Sequence, residues 1–186
     1  FRSKEYVGAT TGEMKEYTTK YEDTLVELAR ANDIGFVEMR AANPDLDTWM
    51  PGTNVNVVIP TMHILPDAPR RGIVINVPEM RLYYYEKPEE PPHTFPLGVG
   101  REGLATPIGR TFIMSKIEGP VWRPTKRMRE EDPTLPIEVP AGPGNPLGTH
   151  ALYLGWPEYR IHGTDKPFSI GRRASSGCIR MYPEDI

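Results

Sequence analysis

The chain has 186 residues, of which 38% are hydrophobic and 25% charged, with a formal net charge of −3. That is the composition of a globular chain of one large or two smaller domains, and the balanced charge excludes a basic nucleic-acid-binding surface as the reading. No apolar run approaches the roughly 20 residues that a membrane-spanning helix requires, and the start "FRSKEYVGATTG" lacks the basic region followed by an apolar one that marks a signal peptide.

In chain order, residues 16–60 come first. "DTLVELARAN" places Leu25, Leu28 and Ala29 at helical spacing, and Thr24 with Glu27 forms a capping box. "GFVEMRAANP" predicts a second short helix, opened at Gly35 and stopped by Asn43 and Pro44. "VNVVIP" alternates as a closing strand before Pro60. The expected order is therefore strand, helix, helix, strand. "TMHILPDAPR", residues 61–70, has two prolines and no periodicity and is expected to be a stiff linker.

Beyond it, "GIVINV", "RLYYYE", "TFPLGVG", "RTFIMSKI", "ALYLG" and "YRIHGT" are short, rich in β-branched or aromatic residues, and ended by turn formers. They predict a mostly β domain of sandwich or barrel type over 71–186, with "VPEM" as the first hairpin turn. Residues 118–148 interrupt this pattern with seven prolines. A connection so long is functional or disordered, and Trp122 favours an ordered lid or groove wall. "MYPEDI" predicts the first turn of a helix, so the domain is expected to lack its C-terminal end.

The chain's single cysteine lies in "SSGCIR", residues 175–180. The thiolate is the nucleophilic form, so a reactive cysteine needs a base or positive charge nearby to lower its pKa. His162 lies sixteen residues upstream and Arg180 two downstream. Were "RIHGT" and "SSGCIR" to run side by side, the imidazole would reach the sulfur. Gly177 would leave backbone N–H groups open toward a developing oxyanion. The residues alone also allow a buried structural cysteine. Metal binding by Cys178, His162 and His150 lacks paired ligand spacing, so no metal is expected.

Two resemblances extend this reading. The tyrosine-led start, "DTL", the "NP" and the closing "G..V.V.IP" of residues 16–60 resemble the LysM module, which implies binding to the N-acetylglucosamine-containing glycan strands of peptidoglycan. "IHGTDKPFSIGRRASSGCIRM", residues 161–181, resembles the signature of the L,D-transpeptidase (YkuD-type) catalytic domain, and "TPIGRTF" and "GPGNPLGTHALYL" resemble other segments of that family. The resemblance implies Cys178 as nucleophile, His162 as base and Gly163 as the carbonyl that orients the imidazole. It implies the Gly177 and Cys178 amides as the oxyanion hole. Ser175, Ser176 and Arg180 fall on motif positions expected to border substrate; Trp122 is expected to do so from its place in the long connection, apart from any motif. Many family members carry His where this chain has Ser176.

The implied reaction is acyl transfer from a peptidoglycan tetrapeptide stem through a thioester, without a cofactor, in an exported, periplasmic or wall-associated protein. The implied acceptor is a second stem or a lipoprotein amine. Two alternatives stand beside it: an amide hydrolase using the same cysteine, and a non-catalytic wall-binding protein.

Overall fold

The computed structural model describes residues 7–186. Chain contacts divide the protein into two compact units, one made of the chain up to Gly98 with Phe168–Arg173, the other of Val99–Pro167 and Ala174–Ile186.

In the first unit, β1 (Thr10–Thr11), β2 (Met14–Thr18), α1 (Leu25–Ala31), α2 (Phe36–Ala42), β3 (Asn56–Pro60) and β4 (His63–Ile64) follow in order. Thr24 caps α1 as its sequence requires: the Glu27 N–H donates to Thr24 Oγ1 at 3.1 Å, and that hydroxyl donates to Glu27 Oε2 at 3.0 Å. β2 and β3 pair antiparallel, with Tyr17 opposite Val57. Over them the helices bury Leu25, Leu28, Ala29, Ile34 and Met39 with Val57 and Ile59, which removes the apolar stripe of both helices from water. The stretch expected as a linker holds β4, which pairs with β1. The difference arises because a two-residue strand is too short to show periodicity.

A three-stranded antiparallel sheet of β5 (Gly72–Asn76), β6 (Arg81–Tyr85) and β7 (His93–Pro96) completes this unit. The β5–β6 turn falls on Val77–Met80, with Met80 at φ 56°. Arg81 is 1% exposed, and its buried charge is met by Glu38 Oε2 at 2.9 Å, the Asp33 carbonyl at 3.0 Å and Thr94 Oγ1 at 3.1 Å. His63 Nδ1 lies 3.3 Å from Glu38 and 3.8 Å from Glu79. Burial first and Arg81 second lower the His63 pKa to about 4. The two carboxylates pull the other way, but Arg81 already offsets Glu38. We therefore assign a neutral ring whose Nδ1–H points at Glu38.

The second unit contains β8 (Val99–Gly100), β9 (Ile113–Glu118), α3 (Lys126–Glu131), β10 (His150–Leu154), β11 (Arg160–His162) and β13 (Ile179–Arg180). A 3₁₀ turn (Pro167–Ser169) and β12 (Arg173–Ser175) lie between the last two. Its sheet runs β13-β11-β10-β9, with β11 central, antiparallel to β10 and parallel to β13. Residues 118–148 are not structureless. They hold α3, capped where Met128 N–H donates to Thr125 Oγ1 at 3.3 Å, and a bridge between Trp122 and Val139. Asn145, 1% exposed, ties the connection together by donating to the Pro120 and Pro140 carbonyls at 2.8 and 2.9 Å. The closing "MYPEDI" forms a turn in which the Tyr182 carbonyl accepts from the Asp185 N–H at 3.1 Å and from the Ile186 N–H at 3.3 Å.

Candidate active site

Cys178, His162, Gly163, Gly177 and Arg180 lie on or next to β11 and β13 of the β13-β11-β10-β9 sheet. In the parallel β11–β13 pair, Ile161 faces Ile179 and His162 faces Arg180, so "RIHGT" and "SSGCIR" do run side by side. Cys178, one residue before β13, falls opposite Arg160, on the strand face that carries His162 and Arg180. A two-residue step along one strand and one step across separates the Cα atoms of His162 and Cys178 by about 8 Å, which two side chains on one face can span.

His162 is 4% exposed, held between β10 and β13: Ala151 is its antiparallel partner, and its carbonyl accepts from Met181 N–H at 2.9 Å. Its Nδ1 lies 2.5 Å from the Gly163 carbonyl. A carbonyl only accepts, so Nδ1 carries the proton and Nε2 is the basic nitrogen. Burial lowers the His162 pKa to about 3, helped by the charges of Arg180 and Arg160 and opposed by the Gly163 bond. Glycine at 148 makes this corner possible. A Cβ there would stand 2.7 Å from Thr164 N and 2.9 Å from the Gly163 carbonyl carbon, and φ is +67°.

The loop entering Cys178 is fixed by two hydroxyls. Ser175 Oγ, on a residue 2% exposed, donates to the Cys178 carbonyl and accepts the Gly177 N–H at 3.1 Å. Thr106 Oγ1 donates to the Gly177 carbonyl at 2.9 Å and accepts the Gly100 N–H at 3.0 Å. Gly177 has φ +110°, and a Cβ would press to 2.9 Å from the Tyr159 ring. Its N–H is thus engaged by Ser175 and not open, as the sequence expectation had it; the short Ser-x-Gly spacing closes a local turn onto that amide.

The half-buried thiol donates to the Glu158 carbonyl at 3.5 Å. Burial raises the Cys178 pKa, against the Arg160 backbone N–H and the charges of Arg160 and Arg180; Glu158 adds to the rise. The sequence expectation of a lowered thiol pKa is therefore reversed. Desolvation disfavours both charged forms and so favours a neutral thiol and a neutral imidazole at rest.

Arg180 is half-buried; desolvation lowers its pKa, while Asp165 and Cys178 oppose that shift. Ser176 is half-buried and, among the described residues, takes part in none of the hydrogen bonds that hold this loop. Trp122 is fixed to Val139 within its own connection and is not brought into the hydrogen-bonded set around Cys178. The sequence reading missed Arg160, Thr106, Asn145 and Gly148. Arg160 had a legible signal, since it lies two residues before His162 on a strand and so shares its face. Among the described residues no group of His, Cys, Asp and Glu is arranged to hold a metal, and no helix is long and apolar enough to cross a membrane.

A thiol, a neutral imidazole with Nε2 unprotonated, two guanidinium groups and a glycine-bearing loop form a set suited to acyl transfer through a thioester. The family model for the YkuD L,D-transpeptidase catalytic domain matches residues 70–186, and the chain belongs to that family of acyltransferases. The "Probable L,D-transpeptidase ErfK/SrfK" of Salmonella typhimurium is 46% identical over 157 residues, covering 82% of this chain and 50% of that protein. The "Probable L,D-transpeptidase YbiS" of Escherichia coli K12 is 46% identical over 167 residues, covering 87% and 54%. The chain thus spans about half the length of these relatives. The catalytic domain of the Enterococcus faecium L,D-transpeptidase aligns with a TM-score of 0.46 at 22% identity, over 64% of this chain and 86% of that one.

Proposed function

We propose that the protein is a cysteine L,D-transpeptidase of the bacterial cell wall, acting on peptidoglycan tetrapeptide stems. The observation that supports the reading is the β11–β13 register together with the Gly163 carbonyl on His162 Nδ1, which leaves Nε2 as the nitrogen able to accept a proton.

In the first half-reaction His162 Nε2 takes the Cys178 proton as sulfur attacks the carbonyl of the stem's diamino acid. The resting pair is neutral, so charge appears only as the bond forms. The Cys178 amide is the backbone donor for the oxyanion, and Arg160 and Arg180 offset the negative charge on sulfur and oxygen. The imidazolium then protonates the departing amine of D-alanine, leaving a thioester. In the second half-reaction His162, neutral again, removes a proton from an incoming amine, which attacks the thioester and releases the thiol. The amine is that of a second stem or a lipoprotein. Ser175 acts through the loop it fixes. Ser176 and the connection around Trp122 border the acceptor side.

The amino-terminal residues 16–60 form a LysM-like glycan-binding module in a protein that works in the periplasm or on the wall. Supporting this, Tyr21 and Trp49 are 89% and 62% exposed, on loops joined where Leu25 N–H bonds the Thr48 carbonyl and Asn54 N–H bonds Thr19. Exposed aromatic rings of this kind offer faces for sugar rings. Trp49→Ala is expected to weaken co-sedimentation with insoluble peptidoglycan; undiminished pelleting would remove the ring from glycan binding.

Intact-mass analysis of the protein incubated with disaccharide tetrapeptide, with and without an amine acceptor, tests the reaction. The expected result is a Cys178 adduct lacking D-alanine and then a crosslinked or amine-exchanged product. Free tripeptide as the dominant product with ample acceptor present would assign the protein to amide hydrolysis instead.

A further inference from the structure

Helix α2 starts behind Gly35, a residue with no side chain to cap it. The first-turn N–H groups of a helix need partners from elsewhere. Here the Phe36 N–H donates to the Ile170 carbonyl and the Val37 N–H to the Gly171 carbonyl, both at 3.3 Å. Those carbonyls lie 134 residues further along the chain, in the Phe168–Arg173 segment that shares the first compact unit.

The approach is close enough that both sides must be glycine. A Cβ on Gly35 would stand 2.8 Å from Gly171 Cα, and a Cβ on Gly171 would stand 2.2 Å from Phe36 N. The Arg172 guanidinium covers the Phe36 ring at 3.6 Å, and the Gly171 N–H donates to the Leu97 carbonyl at 2.9 Å. Directly after this clamp the chain becomes β12, which ends at Ser175, the residue whose hydroxyl fixes the Gly177 amide and the Cys178 carbonyl.

We propose that Gly35, Phe36 and Gly171 are positioning residues for the chemistry at Cys178. The amino-terminal module grips the 169–173 main chain and thereby sets the path by which the chain enters the Ser175–Cys178 loop. The module then has a task besides glycan binding, and removing it would disturb the cysteine loop as well as wall affinity. The kinetic part of the test rests on the proposed transpeptidation; the exchange part does not.

The test uses Gly35→Ala in the full chain. Gly35 has φ −75°, which alanine adopts freely, so the substitution acts as a wedge against Gly171 without backbone strain. Gly72→Ala is the control: φ is +61° and a Cβ there meets nothing within 4 Å, so it strains the same unit without a wedge. Hydrogen exchange across 174–180 is expected to quicken by about fivefold in Gly35→Ala and to stay unchanged in Gly72→Ala, with 151–162 unaltered in both. Turnover of a small soluble muropeptide should fall about tenfold in kcat with KM unchanged. If Gly35→Ala does not fold, Arg172→Gln removes the stacking and keeps the main-chain contacts, and should quicken 174–180 by about twofold. Faster exchange confined to 35–60 and 168–173, or equal in the Gly72→Ala control, overturns the proposal. A wild-type protein without turnover overturns the transpeptidase reading and leaves the exchange result to decide this one.

Discussion

Acidification is expected to weaken the folded protein mainly through its buried histidines. His162, 4% exposed, has its pKa lowered to about 3, and His63, 5% exposed, to about 4. In the unfolded chain both rings titrate near 6.5. Between those values the unfolded state binds protons that the folded state refuses, so stability is fully present above about pH 6.5 and is lost as pH falls toward the folded pKa. At pH 4.5 the loss from His162 is on the order of 2–3 kcal/mol, with a somewhat smaller share from His63. For a chain of this size that lowers the melting temperature by about 5–10 °C for His162 alone. Thermal unfolding of the wild type and His162→Gln at pH 7.5 and 4.5 reads the effect, because glutamine keeps a donor for the Gly163 carbonyl and cannot titrate. The wild type should lose about 5–10 °C more than the variant between the two conditions. An equal loss in both would mean that His162 is protonated in the native protein, and the neutral resting pair would be wrong.

Three further outcomes follow from the hydrogen bonds around the site. Thr106→Val removes the donor to the Gly177 carbonyl and the acceptor of Gly100 N–H, and should cost about 1–3 kcal/mol by chemical denaturation while slowing acylation of Cys178. Gly148→Ala drives a Cβ against Gly163 and Thr164, and should lower kcat by at least about tenfold in a steady-state muropeptide assay. Asn145→Ala frees the Pro120 and Pro140 carbonyls, and limited proteolysis should then cut within 118–148 much faster than in the wild type.

The parts of the fold that were legible are those set by local chemistry. The Thr24–Glu27 capping box, the stripe Leu25, Leu28 and Ala29, and the turn at Val77–Met80 are written in neighbouring residues, and all are observed. The adjacency of "RIHGT" and "SSGCIR" stood in the sequence only as a condition; the parallel pairing that meets it joins residues with no shared local pattern. Helix α3 was not legible, since Lys126–Glu131 is charged on every face and only Thr125 marks its start. Nor was the engaged Gly177 amide, which depends on the rotamer of Ser175. The neutral resting pair also escaped the sequence. Charges near a thiol can be counted along the chain, whereas the desolvation that outweighs them exists only after β10, β11 and β13 have packed. The contact of Gly35 with Gly171 is purely tertiary, between residues that share no pattern.

The central claim is that Cys178, activated by His162, carries the acyl group. Intact-mass analysis of the wild type, Cys178→Ala and His162→Gln after incubation with disaccharide tetrapeptide tests it most directly. The account requires a covalent adduct lacking D-alanine on the wild type, none on Cys178→Ala, and one on His162→Gln that forms at least about a hundredfold more slowly. An adduct on Cys178→Ala, or equal acylation rates in the wild type and His162→Gln, would contradict it.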